Sequence, residues 1–176
     1  MPEPAARRGL LGLGSNVGER RAHLQAALDA LPGAGVEVLA SSSTYDTDPV
    51  GEVLEQASFL NACVSVRTQL EALALLEAVK RIERELGRRS GVRHGPRAID
   101  IDVLALGEIE LRHAHMTLPH EQLLSRRFVL IPALELDFEL SVPRAGVPVR
   151  LADALAALPL SEGVRWAGPP LEPSGA

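Results

Sequence analysis

Two different periods of hydrophobic and polar residues run along this chain, and each change of period marks an element. From Phe59 to Thr68 the spacing is two: Leu60, Ala62, Val64 and Val66 share one side of an extended strand, and Phe59, Asn61, Cys63 and Ser65 share the other. Val36 to Thr44 alternates in the same way. Gly9 to Leu13 is a short apolar strand closed by the turn cluster Gly14-Ser15-Asn16. Between about Glu19 and Leu31 the period changes, with Leu24, Ala27, Leu28 and Leu31 at i, i+3, i+4 and i+7, and Pro32-Gly33 ends the helix. Thr68-Gln69-Leu70-Glu71 has the form of a capping box. It opens a helix to about Leu86, with Leu75, Leu76, Val79, Ile82 and Leu86 as its buried stripe and Gly87 as its stop.

The strand from Asp100 to Leu106 comes next, and Leu106-Gly107-Glu108-Ile109 reads as a hairpin turn into a short strand through Leu111. Gln122 to Leu134 predicts one or two short helices broken by Pro132, Leu140 to Val142 a strand, and Leu151 to Leu158 a last helix. The order strand, helix, strand, strand, helix, strand is that of an α+β ferredoxin-like βαββαβ sandwich, an antiparallel sheet with two helices on one face and short C-terminal additions. Its domain runs from 9 to 167, preceded by a flexible arm at 1–8 and followed by a Pro- and Gly-rich tail at 168–176 that is expected to be disordered.

One strand breaks the apolar pattern with charge. Asp100 and Asp102 are two residues apart, so they share a face, roughly 6.6 Å apart at about 3.3 Å per residue. Ile99, Ile101 and Val103 point the other way, and Leu104-Ala105-Leu106 makes the segment too apolar for a solvated edge. Something positive belongs on the acidic face. Either the nearby Arg88, Arg89, Arg93 and Arg97 pair with the acids, or the acids hold a hard divalent cation, which commonly takes one or two carboxylates together with substrate phosphates. Arginine forks suit phosphate, so metal and arginines together suggest a nucleoside triphosphate.

Other polar positions are less pointed. Asn61, between Phe59 and Cys63, either satisfies backbone at a strand end or reads the polar edge of a ligand. The stretch from Tyr45 to Ser58 has no period and has the length of a binding loop. Gly12-Leu13-Gly14-Ser15-Asn16 follows a strand but lacks the Lys-Ser/Thr of a P-loop and the third glycine of a dinucleotide fingerprint, so it reads as a structural turn. His113 and His115 alternate without an evident third metal ligand nearby.

Composition narrows the field. With 176 residues, 46% of them hydrophobic, the chain fills one domain. A net charge of -5 argues against a nucleic-acid binder, and 3% aromatic residues are too few for the stacking platforms of an RNA-binding sheet. Cys63 is the only cysteine, which excludes an intrachain disulfide and fits a reducing cytosol. Neither a signal peptide nor a membrane span is expected.

The run Arg93-His94-Gly95-Pro96-Arg97-Ala98-Ile99-Asp100-Ile101-Asp102 resembles the signature of the 6-hydroxymethyl-7,8-dihydropterin pyrophosphokinase family. Leu13-Gly14-Ser15-Asn16, Ser43-Thr44-Tyr45 with Thr47-Asp48-Pro49-Val50-Gly51, Phe59-Leu60-Asn61-Ala62, Arg81-Ile82-Glu83 before Gly87-Arg88, and Leu118-Pro119-His120 through Phe128 resemble family blocks in the same order, over roughly residues 10 to 160. The resemblance implies a cytoplasmic, monomeric enzyme of folate synthesis that moves the β,γ-diphosphate of ATP to the pterin hydroxymethyl group and releases AMP. It implies two Mg²⁺ ions on Asp100 and Asp102, with Arg88 and Arg97 as catalytic clamps on the triphosphate. ATP would meet Glu83, Arg88, Arg97, Ile99, His120 and Arg126. The pterin would meet Thr47, Asp48, Val50, Asn61, Phe59 and Phe128. The chain departs from the family at His94, where an aromatic residue, commonly Trp, is usual, and at Phe59, where Tyr is frequent.

Overall fold

The computed structural model describes residues 1–48, 57–89, 98–160 and 163–174, except for the side chains at 88 and 89. Its sheet is assembled on β4 (Phe59–Thr68), whose alternation lets it bury both faces. β1 (Arg7–Ser15) runs antiparallel along one side, from Arg7 opposite Thr68 to Ser15 opposite Leu60. β5 (Asp100–Leu106) pairs with the far side of β1. The other side of β4 is shared end to end by β2 (Val36–Ser41) and β3 (Thr44–Thr47), and β10 (Val164–Gly168) adds an edge beyond β3. The resulting order β10-β3-β4-β1-β5 is antiparallel throughout, with β2 on β4 as well.

Helices α1 (Arg20–Ala30) and α2 (Ala72–Arg89) cover one face, closing a core of Leu11, Leu13, Leu28, Val64, Val66, Leu75, Val79 and Ile101. That is the expected sandwich. Among the described residues the opposite face is half covered: α3 (Arg127–Leu136) and α4 (Leu151–Ala157) pack Leu130, Ala133 and Leu151 against Leu10, Cys63, Leu104 and Ala105. A β-bulge makes this second core possible. Leu11 stands opposite Val103 but Leu10 stands opposite Ala105, so Leu104 is an extra residue on β5. Leu104 and Ala105 therefore both join the α3 and α4 layer, and Leu106 returns to the first core. The unbroken apolar triplet after the aspartates serves two cores.

Several expected boundaries move. The strand predicted over 36–44 splits at Ser42-Ser43, because the Ser42 hydroxyl accepts from the Cys63 amide at 2.9 Å and donates to the Ser43 carbonyl at 2.7 Å, replacing a ladder bond with a side chain. Thr68 is no N-cap. It ends β4, and its hydroxyl donates to the Gly35 carbonyl at 2.7 Å and accepts from the Leu70 amide at 3.1 Å, while α2 begins after Glu71. No hairpin forms on β5: Gly107 turns the chain with φ 52, and β6 (Leu111–His113) pairs with β7 (Met116–Leu118) instead. Pro132 lies inside α3, costing the helix one amide donor without ending it. The predicted strand at 140–142 is half of a separate hairpin, β8 (Ser141–Arg144) with β9 (Val147–Arg150).

Both ends of the chain are more ordered than expected. Arg7 and Arg8 already belong to β1, opposite Thr68 and Arg67. The C-terminal stretch is a strap across α1: Arg21 donates to the carbonyls of Pro169 and Pro170 at 2.9 and 3.2 Å, Gln25 to that of Glu172 at 2.8 Å, and Leu171 is buried. One leucine among prolines gives no periodicity to read, so this order comes from tertiary contacts alone.

Candidate functional site

The half of the second face that α3 and α4 leave bare is where the predicted polar residues meet. Strand register puts them in rows. Asn61, Gly14 and Asp100 stand side by side on β4, β1 and β5, and one step further along stand Cys63, Gly12 and Asp102. Two interstrand spacings separate Asn61 from Asp100, roughly 10 Å at about 4.8 Å each. Glycine in the middle strand makes the floor between them flat. A methyl group on Gly14 would come within 2.9 Å of Asn61 Oδ1, and one on Gly12 within 3.3 Å of Leu104 Cδ1. These two glycines were read as parts of a turn. Their i, i+2 spacing in a strand, which puts both on one face, was the available signal.

Above this floor is a cavity of about 230 Å³. Thr47, Asp48, Phe59 and Asn61 form one wall, Phe128 and Val129 another, and Asp100 and Asp102 the far side. Asn61 donates from Nδ2 to Thr47 Oγ1 at 2.6 Å, so its amide is oriented by a buried hydroxyl and its Oδ1 stays on the cavity side of the Gly14 floor. Of the two uses open to Asn61, the structure thus gives it a side-chain partner and a place in the cavity wall.

A second cavity, of about 360 Å³, lies against β5 and β7, lined by Lys80, Val103, His113, His115, Thr117, His120 and Glu121. Asp102 lines both cavities. His120 Nδ1 accepts from the Gln122 amide at 3.1 Å, which leaves the proton of the neutral ring on Nε2 as a donor. With Lys80 and the tilted pair His113 and His115, whose ring centroids are 5.6 Å apart, the wall is rich in donors suited to an anion.

Glu83, which the resemblance places with ATP, is engaged by β5 in this structure. Its Oε1 accepts from the Ile101 amide at 2.6 Å and from Lys80 Nζ at 2.9 Å, and Lys80 also donates to the Ile101 carbonyl at 3.3 Å. Among the described residues β5 is the sheet's open edge, so these two α2 side chains take the place of a neighbouring strand at the residue between the aspartates. The Ile99 side chain points into the first core, 2% exposed, and it is Val103 that lines the second cavity. Arg126 precedes α3 and lines neither cavity. Val50, Arg97 and the Arg88 side chain lie outside the described residues, as do His94 and most of the segment read as a binding loop.

Behind Phe128, α3 is tied to β3 by Glu135. Its Oε1 accepts from the Ser43 amide and hydroxyl at 2.8 and 2.6 Å, and its Oε2 from the Tyr45 hydroxyl at 2.5 Å. Burial alone would raise the Glu135 pKa; the bonds from Ser43 and Tyr45 outweigh it and hold the carboxyl below its ordinary 4.5. Burial first, then the same carboxylate, push the Tyr45 hydroxyl up to about 12. Burial and the Glu135 charge do the same to the Cys63 thiol, which at about 12 is no nucleophile although it borders the first cavity.

Asp100 and Asp102 supply hard oxygen donors on one face, the donor type Mg²⁺ selects. Among the described residues no group of three or more His, Cys, Asp or Glu could hold a metal ion. An ion on these carboxylates would complete its shell with phosphate and water, and that suits Mg²⁺. Among the described residues no helix is long and apolar enough to cross a membrane.

The family model for 7,8-dihydro-6-hydroxymethylpterin-pyrophosphokinase (HPPK) matches residues 10–138. The chain is 42% identical over 152 residues to a 2-amino-4-hydroxy-6-hydroxymethyldihydropteridine pyrophosphokinase of Methylorubrum extorquens, covering 86% of this chain and 93% of that protein. It is 40% identical over 127 residues to the mitochondrial folate synthesis bifunctional protein of Pisum sativum, covering 72% of this chain but only 24% of that longer protein. A crystal structure of HPPK-DHPS from Plasmodium falciparum superposes with a TM-score of 0.67 at 15% identity, over 88% of this chain and 46% of the other, and so shares the fold.

Proposed function

Because the chain belongs to the 7,8-dihydro-6-hydroxymethylpterin-pyrophosphokinase family, we propose that it transfers the β,γ-diphosphate of ATP to the hydroxymethyl oxygen of 6-hydroxymethyl-7,8-dihydropterin, forming AMP and the pterin diphosphate for folate synthesis. The observation that supports this most directly is Asp102 on the wall of both cavities. A carboxylate shared by a flat, partly aromatic pocket and a donor-rich pocket stands where the two substrates must touch.

In this reading the pterin lies on the Gly12 and Gly14 floor between Phe59 and Phe128, with Asn61 and Thr47 reading its polar edge. The triphosphate enters from the second cavity, where Lys80 and the ring N–H groups of His113, His115 and His120 would donate hydrogen bonds to its oxygens. The pterin hydroxyl oxygen bonds to the β-phosphorus, the bond from that phosphorus to the oxygen bridging to the α-phosphate breaks, and AMP leaves with that oxygen as the hydroxyl proton is lost. Attacking and departing oxygens must lie in line, so positioning is most of the work asked of the protein. Asp100 and Asp102 would hold the two Mg²⁺ ions, whose positive charge would offset the charge that develops on the phosphates. Arg88 and Arg97 are assigned to the same triphosphate from the family pattern, and the enzyme is read as a cytoplasmic monomer; the free, buried Cys63 fits the cytoplasmic part of that reading.

The test is AMP formation from ATP and Mg²⁺ with and without the dihydropterin, on the wild type and on Asp100→Ala and Asp102→Ala. Pterin-dependent AMP from the wild type, reduced by orders of magnitude in both variants, is expected. Wild-type turnover in Asp102→Ala would refute the metal assignment, and no AMP from the wild type would refute the reaction.

A further inference from the structure

The outer wall of the first cavity is built from the ends of two strands, Thr47 at the end of β3 with Asp48 just after it, and Phe59 at the start of β4, with Thr47 opposite Phe59. These ends are braced from behind. In β3, Asp46 alternates with Tyr45 and Thr47, so its side chain emerges on the α1 side of the sheet. There Arg20, the first residue of α1, donates from Nη1 to Asp46 Oδ1 at 2.6 Å and to the Ser58 carbonyl at 3.0 Å, with the Ser58 hydroxyl at 3.3 Å. One half-buried guanidinium nitrogen thus joins the residue before Thr47 to the residue before Phe59.

A second brace comes from the chain's end. Arg165 on β10 donates to Asp48 Oδ1 at 2.9 Å, and the Asp48 amide donates to the Gly163 carbonyl at 3.3 Å. A methyl group at Gly163 would collide with the Asp48 carboxylate, so the close approach depends on glycine there. Residues 163–168 lie beyond the 10–138 matched by the family model. Yet they complete the wall that carries Thr47 and Asp48 through the pairing of Val164 with Thr47 and Arg165 with Asp46.

We propose that Arg20 and Arg165 are positioning residues for the pterin, holding the Thr47–Asp48 and Phe59–Asn61 halves of one pocket wall in register without touching the nucleotide. The inference rests on the reading of the first cavity as the pterin site. Neither arginine lines either of these two cavities, so both act through Asp46, Asp48 and Ser58.

Dihydropterin would be titrated into protein holding a non-hydrolysable ATP analogue, and the analogue alone would be titrated separately. Arg20→Gln is expected to weaken pterin binding about tenfold, the order of a lost charged hydrogen bond, with analogue affinity unchanged. Arg20→Lys, which keeps the charge, should recover part of the loss. Arg165→Gln, at an exposed pair, should cost about threefold and keeps the test available should Arg20→Gln fold poorly. Unchanged pterin affinity in both Gln variants, or an equal loss of pterin and analogue, would overturn the inference. A wild-type chain that binds the analogue but no pterin would instead overturn the site reading, and the inference with it.

Discussion

Gly14→Ala puts the flat floor to a direct test. The φ of Gly14 is not in the left-handed region, so alanine fits its backbone. The trouble is the methyl group, 2.9 Å from Asn61 Oδ1 and 3.8 Å from Phe59 Cδ1, with the first distance shorter than real Cβ contacts allow. The Asn61 amide must therefore shift, and it is held on its other side by its 2.6 Å bond to Thr47. Overpacking of this kind costs about 1–3 kcal/mol, and the smaller entropy of an unfolded alanine returns about 0.4–1 kcal/mol, so the fold should survive with a modest loss of stability. Binding should suffer more. If the displaced amide forfeits one good hydrogen bond to the pterin, the loss is about 1.4–2.8 kcal/mol, or roughly ten- to a hundredfold in Kd. Gly12→Ala is the comparison on the same floor: its methyl group would press on the buried Leu104, 3.3 Å away at Cδ1, and leave the Asn61 amide where it is. Thermal melting and a fluorescence titration with dihydropterin on both variants separate stability from affinity. Gly14→Ala binding the pterin as tightly as wild type would show that this row of residues is not the floor of the site.

Two more outcomes follow from hydrogen bonds on the page. Glu83→Ala removes the acceptor of the Ile101 amide at an almost buried position and should lower stability in urea by about 1–3 kcal/mol. Glu83→Gln keeps an acceptor and should lose clearly less, so equal losses would refute the backbone role. Stability should also fall in acid through Glu135. Its folded pKa is depressed below 4.5, so its contribution is complete above that pH and is lost as pH drops through the folded value. Tyr45 has the opposite sign: its pKa is raised from 10.0 to about 12, so its contribution holds below pH 10 and is lost between those values. Denaturation against pH should show the acid fall flattened in Glu135→Gln and the alkaline fall flattened in Tyr45→Phe, and unchanged profiles would refute the network.

Period-two patterns translated into faces almost without error. The alternation of 59–68 puts Leu60, Val64 and Val66 in the first core and Phe59 and Asn61 in the cavity, and Asp100 and Asp102 share the other side from Ile101. Positions whose place depends on a distant partner were not legible. Ser42 splits a strand because its hydroxyl reaches Cys63, Thr68 is drawn from a helix cap to the Gly35 carbonyl, and Leu171 finds its burial only where the strap crosses α1. Glu83 stood in a family block, but only the open edge of β5 shows why a carboxylate is needed opposite Ile101.

That open edge explains why the acids sit on β5 at all. A central strand would have neighbours on both sides, and a second cavity could not reach its carboxylates in the plane of the sheet. On the edge strand, Asp102 borders the cavity above the sheet and the one beside it. The exposed backbone of an edge is a liability for pairing with other chains. Here Lys80 and Glu83 occupy the Ile101 carbonyl and amide, and the bulge at Leu104 changes which side chains face each layer, so that the strand meets the α3 and α4 core just beyond the aspartates. The carboxylates are thus held on a strand fastened at both ends of the site, by α2 side chains at Ile101 and by packing at Leu104 and Ala105. If the two cavities hold the two substrates as proposed, both can approach Asp102 from different directions while the strand that carries it stays in place.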